Sequence, residues 1–368
     1  MKLRCERDVL VDALASAGRA VAARGGTQVV SGLRLRVGDD SLVVTGTDLD
    51  LTIEVAVTVS GAGGAGDGVV VAPGRLITEI VRALEPGAVT LETGDGDLRI
   101  TSGRSQFSVH TLEAEPFPPT PPASGASVTL PAEGLAEALR QVTRAASNEE
   151  SRPILTGVLM AAEAGGLRLV ATDSYRLAVR DLEGIGILGE GEKVLVPSRA
   201  LNELQRLLGS ATAEVSLCLG ARHATFSLGV TTLVTRLIEG EFPNYRALIP
   251  PSYPNRLVVA REALGDAVRR VKLLARDATT PVRLALRPDG VELTVITTDL
   301  GTATEDVDAK YEGAEMTVAF NPTYLIEGID AMATDEVILH ILDPLKPATL
   351  RPADAADYLY LLMPVRVS

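Results

Sequence analysis

The chain has 368 residues, 46% hydrophobic and 23% charged, which is too long for one typical domain and enough to bury two or three cores. Its formal net charge of -13 excludes a uniformly basic nucleic-acid binder and a protein held on membranes by bulk charge, so any contact with a polyanion must come from a local basic patch. Two distant cysteines, Cys5 and Cys218, offer neither a disulfide framework nor metal-ligand spacing, and fit a reducing cytoplasm.

The opening MKLRCERDVL has no long apolar run after its first charges and does not read as a signal peptide. No run of about 18 apolar residues follows that could span a membrane. A helix is predicted over 8–24. LRLRVGDDSLVVTGTDLDLTIEVAV then alternates with period two around Gly-Asp-Asp, a hairpin pattern. GAGGAGDG, at 61–68, reads as a flexible loop tip. A helix over 73–85 follows a β-rich run, and FPPTPPASGA (117–126) reads as an extended, solvated linker. Helices are predicted over 132–147 and 198–210, and LIPPSYPN (248–255) forms a second linker. Helices over 261–276 and 321–333 complete the series. With no Trp, five Phe and seven Tyr, stacking of bases on aromatic platforms is not the main device of this chain.

The segments repeat. VVVAPGRLITEIVRALEPGAVTLE from Val69 matches KVLVPSRALNELQRLLGSATAEVSLC from Lys193 and EMTVAFNPTYLIEGIDAMATDEVILHI from Glu315. Pro73, Pro197 and Asn321 are each 124 residues apart. Thr-Asp recurs at Asp48, Asp173 and Asp299, with gaps of 125 and 126, and Phe117 and Phe242 are 125 apart. LVDALASAGRAV, LAEALRQVTRAA and LGDAVRRVKLLA are matching opening helices. Four signatures in one order at one spacing imply three homologous domains, over 1–120, 126–248 and 254–368. Each reads as two helices and many short antiparallel strands, an α+β domain with helices packed on one face of the sheets. The recurring Asp residues suit turns, where the side chain bonds nearby backbone.

Positive charge gathers on the helices. The six hold 13 Arg or Lys against 11 Asp or Glu, whereas the remainder holds 22 against 37. Arg75 and Arg82 are seven apart and share a helix face, and Arg199 and Arg206 repeat the pair 124 residues later. Arg261, Arg269, Lys272 and Arg276 fall within about 80° of one another, opposite Leu264, Val268, Val271 and Leu274. Arg140 and Arg144 are i,i+4 neighbours. The third copy departs, with Thr323 and Asp330 where Arg75 and Arg82 stand in the first. Such a surface reads phosphate charge and not base identity.

The repeat plan, with ATDSYRLAV (171–179), EGEFPNYR (239–246), FNPTYL (320–325), DPLKPA (343–348) and LLMPVR (361–366), resembles the bacterial sliding clamp family, the beta subunits of DNA polymerase III, over essentially the whole chain. The resemblance implies a head-to-tail homodimeric ring of six domains, with helices lining a hole for duplex DNA. It implies a non-catalytic processivity factor in the cytoplasm, at the nucleoid. It would bind DNA without sequence preference, and the replicative polymerase, the clamp loader and other partners through short peptides. No cofactor or metal is implied.

By motif match, the implied peptide pocket uses Leu155, Thr172, Ser174, Tyr175, Arg176 and Leu177. Pro243, Arg246, Leu248, Asn321, Tyr324, Leu345 and Pro347 follow, and Leu361, Leu362, Met363, Pro364, Val365 and Arg366 complete it. The implied DNA contacts are Arg24, Arg75, Arg82, Asn148, Arg199 and Arg206. Glu149 is acidic where the family often has a polar residue. The implied subunit interface pairs the strand around Arg104, Phe107 and Val109 with Leu273, Leu274 and Glu305 of the other chain. Gln106 stands where a second Arg is common, and segment 277–281 aligns poorly.

The competing class is a transferase of repeated α+β units, of the enolpyruvyl-transferase type. It would need clustered cations around a phosphorylated substrate, and no Gly-rich phosphate loop follows a strand here. His110, His223 and His340 fall in different predicted strands without catalytic partners.

Overall fold

The computed structural model describes residues 1–21, 28–38, 40–60, 68–163, 165–209, 213–277, 279–354 and 356–366. The first copy holds β1 (Lys2–Glu6), α1 (Arg7–Gly18), β2 (Gly32–Gly38), β3 (Ser41–Thr47), β4 (Leu51–Thr58), β5 (Gly68–Pro73), α2 (Gly74–Ala83), β6 (Ala88–Gly94), β7 (Asp97–Ser102) and β8 (Ser105–His110). The second holds β9 (Ala126–Pro131), α3 (Ala132–Val142), β10 (Gly157–Glu163), β11 (Gly166–Thr172), β12 (Arg176–Glu183), β13 (Lys193–Pro197), α4 (Ser198–Leu207), β14 (Glu214–Leu219), β15 (His223–Leu228) and β16 (Thr231–Arg236). The third holds β17 (Asn255–Ala260), α5 (Arg261–Val271), β18 (Val282–Arg287), β19 (Gly290–Thr297), β20 (Gly301–Glu312), β21 (Met316–Phe320), α6 (Pro322–Asp330), β22 (Glu336–Ile341), β23 (Ala348–Pro352) and β24 (Tyr358–Leu362). The element order repeats three times, as the sequence spacing requires.

The helices form where apolar residues recur with helical spacing. In α2, Ile77 and Val81 are buried while Arg75 and Arg82 are exposed. All six helices end earlier than predicted, α1, α3 and α5 by five residues or more, and α3 at Val142 is followed by a 3-10 turn over Thr143–Ala145. α1 ends at Gly18, whose backbone freedom disfavours continuation, and α5 ends at Val271, followed by a 3-10 turn over Lys272–Leu274. α6 starts at Asn321, whose side chain accepts the Thr323 and Tyr324 N–H groups at 2.9 and 3.2 Å. The Thr of the Thr-Asp pair fixes the turns ahead of β4 and β12, and Thr297, one residue before the third pair, does so ahead of β20. The hydroxyls of Thr47, Thr172 and Thr297 donate to the carbonyls of Leu51, Arg176 and Gly301 at 3.1, 2.6 and 3.2 Å.

The chain condenses into two compact units, residues 1–133 with 200–237, and 134–199 with 238–368. Their border runs through the second copy because strands pair across copies. In the first unit, β4 pairs antiparallel with β16, joining β5-β2-β3-β4 of one copy to β16-β15-β14-β9 of the next in an eight-stranded sheet. A separate sheet runs β1-β6-β7-β8. The core of this unit includes Leu10 and Leu14 of α1 with Leu33, Leu35, Val44 and Ile53.

In the second unit, β12 pairs with β24 in a twelve-stranded order, β13-β10-β11-β12-β24-β23-β22-β17-β20-β19-β18-β21. Its core includes Leu264 and Val268 of α5, Leu325 and Ile329 of α6, and Tyr358 and Tyr360 of β24. β20 bends between two partners, meeting β19 along 301–308 and β17 along 309–312.

The linker over 117–126 is solvated along 122–126, as expected, but its start is tied down. Phe117 is buried, and the Thr120 hydroxyl donates to Glu54 at 2.6 Å. The glycine-rich tract falls at 61–67, outside the described residues.

Gly46 is where α1 meets the sheet of its unit. A Cβ there would lie 2.0 Å from the Ala17 carbonyl oxygen. Gly46→Ala should therefore destabilise the protein by about 1–3 kcal/mol through overpacking, read as a lower urea midpoint.

Candidate functional site

The Thr-Asp turn of the second copy gathers several of the residues expected at the pocket. Asp173 Oδ1 accepts the Tyr175 and Arg176 N–H groups at 2.9 and 3.0 Å, and its Oδ2 accepts Arg176 Nε at 3.0 Å. Ser174 is held at φ +80°, a left-handed position that the side-chain bonds around it stabilise. Arg176 is buried, pairs with Glu327, and lies 4.4 Å over the Tyr324 ring. Burial opposes its charge, but Tyr360 and Asp173 more than offset this and its pKa stays above the ordinary value. Tyr175, 59% exposed, stacks on Tyr324 at 6.5 Å.

An apolar cluster lies on the same face. Leu177 and Leu361 are buried in it with Phe242 and Tyr245, and Leu248, Ile249 and Met363 form its half-buried margin. The C-terminal segment is fastened alongside. Met363 N–H donates to the Tyr175 carbonyl at 2.9 Å, and Val365 N–H to the Ala319 carbonyl at 2.7 Å. Leu155 is buried, Pro243 and Arg246 are exposed, and Leu345 is 65% exposed beside the half-buried Pro347. Arg246 pairs with Glu163 and reaches over Tyr245. Leu362 does not join the cluster. It is buried, and strand alternation turns it away from Leu361, with Tyr358 and Tyr360, so it serves as core.

The sequence reading missed the floor of this site. Leu159, Val170 and Val179 are cross-strand neighbours on β10, β11 and β12, and all belong to the cluster. The residues 125 positions earlier, Arg34, Thr45 and Glu54, are cross-strand neighbours on β2, β3 and β4. There the row is a polar network. Arg34 Nη2 reaches Glu54 at 3.3 Å, Thr45 donates to Glu54 at 3.1 Å, and Phe117 lies 5.0 Å from the Arg34 guanidinium. The third copy has Arg283, Thr294 and Thr304 at the corresponding pairs. The exchange of polar for apolar residues at the repeat spacing was a signal available in the sequence.

The helix arginines are partly compensated by their own helices. Arg75 pairs with Glu79 at 2.9 Å, and Arg206 with Glu203. Arg82, Arg199 and Asn148 are exposed, and Arg24 lies outside the described residues. Arg140 does not form a free basic pair with Arg144. It donates to the Asp330 and Ala331 carbonyls at 2.8 and 3.3 Å, where a cation offsets the helix C-terminus of α6. The predicted face of α5 also changes. Arg276 lies beyond the helix, Arg261 donates to Thr334 O at 2.9 Å, and Arg269 is held by Asp266 and Asp330. Arg152 links Glu149, at 2.7 Å, to the Ser174 hydroxyl, at 3.1 Å.

Among the described residues the three sheets end at β1, β5, β8, β9, β13 and β21, and two edges bear on the expected interface. β8 pairs only with β7, and along 301–308 β20 pairs only with β19. Phe107 on β8 is exposed and Val109 is buried, while Arg104 sits in the turn before the strand. Leu273 is 78% exposed, and Leu274 is half-buried. Glu305 is not left for a second chain alone, since Arg270 holds it within this one by two bonds of 2.7 and 2.9 Å. In segment 277–281, Asp277 accepts the Thr279 and Thr280 N–H groups at 2.9 and 2.8 Å.

His110 does have a partner, Asp97, at 2.6 Å. Ser108 donates to Asp97 and not to His110, so the trio lacks the nucleophile-to-base bond of a catalytic triad. The described residues contain no cluster of His, Cys, Asp and Glu that could hold a metal, and no helix among them is long and apolar enough to cross a membrane.

Three family models match in succession. They are the N-terminal, central and C-terminal domains of the DNA polymerase III beta subunit, over 1–121, 129–244 and 246–366. The beta sliding clamp of Streptomyces coelicolor is 34% identical, with both chains covered completely. That of Staphylococcus aureus is 29% identical over 100% of this chain and 99% of its own. Among solved structures, the DNA polymerase III beta subunit of Thermotoga maritima superposes with a TM-score of 0.92 at 26% identity. A sliding clamp of Bartonella birtlesii bound to griselimycin gives 0.93 at 30%. Both comparisons cover 100% of each chain.

Tyr360 gives the site a titration test. Burial pushes its phenol up to about 12, while its hydroxyl donates to the Tyr324 carbonyl at 3.1 Å. The unfolded chain would ionise it near 10.0, so its stabilisation is intact below that pH and is lost as pH rises toward 12. Urea midpoints should fall across this window, and Tyr360→Phe should reduce the slope by up to about 1.4 kcal/mol per pH unit.

Proposed function

The chain belongs to the family of DNA polymerase III beta subunits, the sliding clamps, and from that premise we propose that two copies close head to tail around duplex DNA. The observation that carries the closure is the strand pairing. β4 is completed by the last strand of the second copy, and β12 by the last strand of the third. Among the described residues, the equivalent stretch of β20 and the last strand of the first copy, β8, lack such partners. A second chain supplies each with the other, and a heterologous contact repeated twice closes. Phe107, Val109, Leu273 and Leu274 would lie at that seam, with Arg104 and Glu305 beside it.

In this reading the protein performs no chemical step. It acts in the cytoplasm as a topological tether, raising processivity through the effective concentration of polymerase at the primer end. Arg24, Arg75, Arg82, Arg199 and Arg206, with Asn148, contact phosphates without reading bases. The ion pairs of Arg75 and Arg206 keep that contact weak, which suits sliding. The apolar margin beside Tyr175 and Met363 receives partner peptides, with Arg176 and Asn321 ordering the turn and the helix start that frame it. The transferase reading is not favoured, because the family matches cover the chain from 1 to 366 with short gaps.

Retention on DNA tests the ring. Protein loaded on a nicked circle should resist salt that strips phosphate binders and should leave when the circle is cut. Leu273→Ala with Leu274→Ala should lower the sedimenting mass from twice 38.6 kDa toward the monomer and abolish retention. Equal loss from circular and linear DNA would contradict the tether.

The pocket is tested separately. Deleting residues 364–368 removes the Val365–Ala319 bond and one wall of the cluster. A peptide with Gln, Leu and a Leu-Phe pair should bind the intact protein at about micromolar strength and the truncated one not measurably, by calorimetry. The dimer should survive, since neither seam strand is touched.

A further inference from the structure

A cationic cluster adjoins the apolar site along one cross-strand row. From the Thr172 turn the row runs Leu177, Leu361, Thr349, His340 and Arg256, each register partner on the same sheet face. Arg351 stands diagonally beside His340 and Thr349, on the partner position of Ile338. Tyr253, from the second linker, sets its ring 5.6 Å from that of His340 at a tilt of 33°, with its hydroxyl beside Thr349.

The polar groups of this cluster are built in but unmet. Thr349 is 0% exposed, and its hydroxyl and that of Tyr253 have no partner in hydrogen-bonding geometry, although the two face each other. A buried hydroxyl without a partner is costly, and here two occur together. Arg256 and Arg351 form no ion pair among the described residues, even though exposed Glu312 is the cross-strand neighbour of Arg256. Arg351 and Arg256 both act to lower the pKa of His340, after burial. In a chain of net charge -13, two half-buried unpaired guanidiniums beside two donor hydroxyls match an anionic oxygen group.

The corresponding row at the other junction differs. Starting from the Thr47 turn it runs Thr52, Val234, Thr225, Cys218 and Ser127, without a charge. The cations therefore accompany the apolar cluster and not the repeat.

We infer that Arg256, Arg351, Thr349 and Tyr253 receive a carboxylate on the segment flanking a docked partner peptide, so that acidic flanks are selected. This rests on the peptide-pocket reading above. Leu361 and Thr349 are adjacent, so a chain leaving the apolar cluster along the row meets the cations within a few residues. The carboxylate gains the two half-buried guanidiniums, and displacement of the half-buried Tyr253 ring opens the two sealed hydroxyls to its oxygens.

The test uses the dimer and two synthetic peptides with the same Gln, Leu and Leu-Phe core, one flanked by Glu and one by Gln. The Glu-flanked peptide should bind the natural protein about tenfold tighter. Arg256→Gln with Arg351→Gln should erase that advantage while leaving the Gln-flanked peptide unchanged, which also reports an intact fold. Thr349→Val, which keeps the shape, should erase part of it. The His340 ring resonance should shift with the Glu-flanked peptide alone. Equal affinity for both peptides, or an advantage that survives the double substitution, overturns the inference. A saturable His340 shift with inorganic phosphate, without a flank advantage, assigns the cluster to a free anion and equally overturns it. Failure of the Gln-flanked peptide to bind would instead bring down the pocket itself, and this inference with it.

Discussion

No copy of the repeat completes its own sheet. Each presents the edge of its fourth strand, β4 or β12, to the last strand of the next copy, and the backbone bonds across that join are as regular as those within a copy. An unpaired edge of this length is a standing invitation to another strand. The fold therefore propagates in one direction, and β20 and β8 are left as the ends of the series. Everything proposed for assembly follows from this shortage of one strand.

A second consequence is that three similar copies do not give three similar sites. The same cross-strand positions carry Arg34, Thr45 and Glu54 in one copy and Leu159, Val170 and Val179 in the next. In the first, Arg34 Nη2 and the Thr45 hydroxyl bond Glu54 while Arg34 Nε stays unmet, and the following segment is held by Thr120 and by Phe117 on Arg34. In the second, dispersion and exclusion of water hold Phe242 and Tyr245 instead, and leave Leu248, Ile249 and Met363 as an apolar margin. One turn geometry, set by Thr and Asp in both copies, thus frames a closed polar patch in one place and an adhesive one in the other.

The electrostatics follow a similar division of labour. Most arginines on the helices are neutralised nearby, as with Arg75 by Glu79, Arg206 by Glu203 and Arg269 by Asp266 and Asp330. Exposed pairs of this kind contribute little to stability. Their effect is to soften the positive surface and not to abolish it, since carboxylates and phosphates compete for the same guanidiniums. Arg176 is the opposite case. Buried between Asp173, Glu327 and Tyr324, it is a structural cation whose removal would strand two carboxylates.

The sequence by itself determined the repeat, the element order and the turn positions, because these depend on local spacing: Thr-Asp before a strand, Pro or Asn-Pro before a helix, and apolar residues at helical period. It also placed Leu177, Leu361 and Met363 at one site through their motifs. It did not reveal that Leu362 belongs to the core, that Arg140 caps α6, or that Glu305 is held by Arg270. Those outcomes depend on which face of a strand is turned inward and which charges meet across more than 30 positions of chain. Only the tertiary structure decides such pairings, since strand register and helix docking bring together residues between which the sequence records no distance.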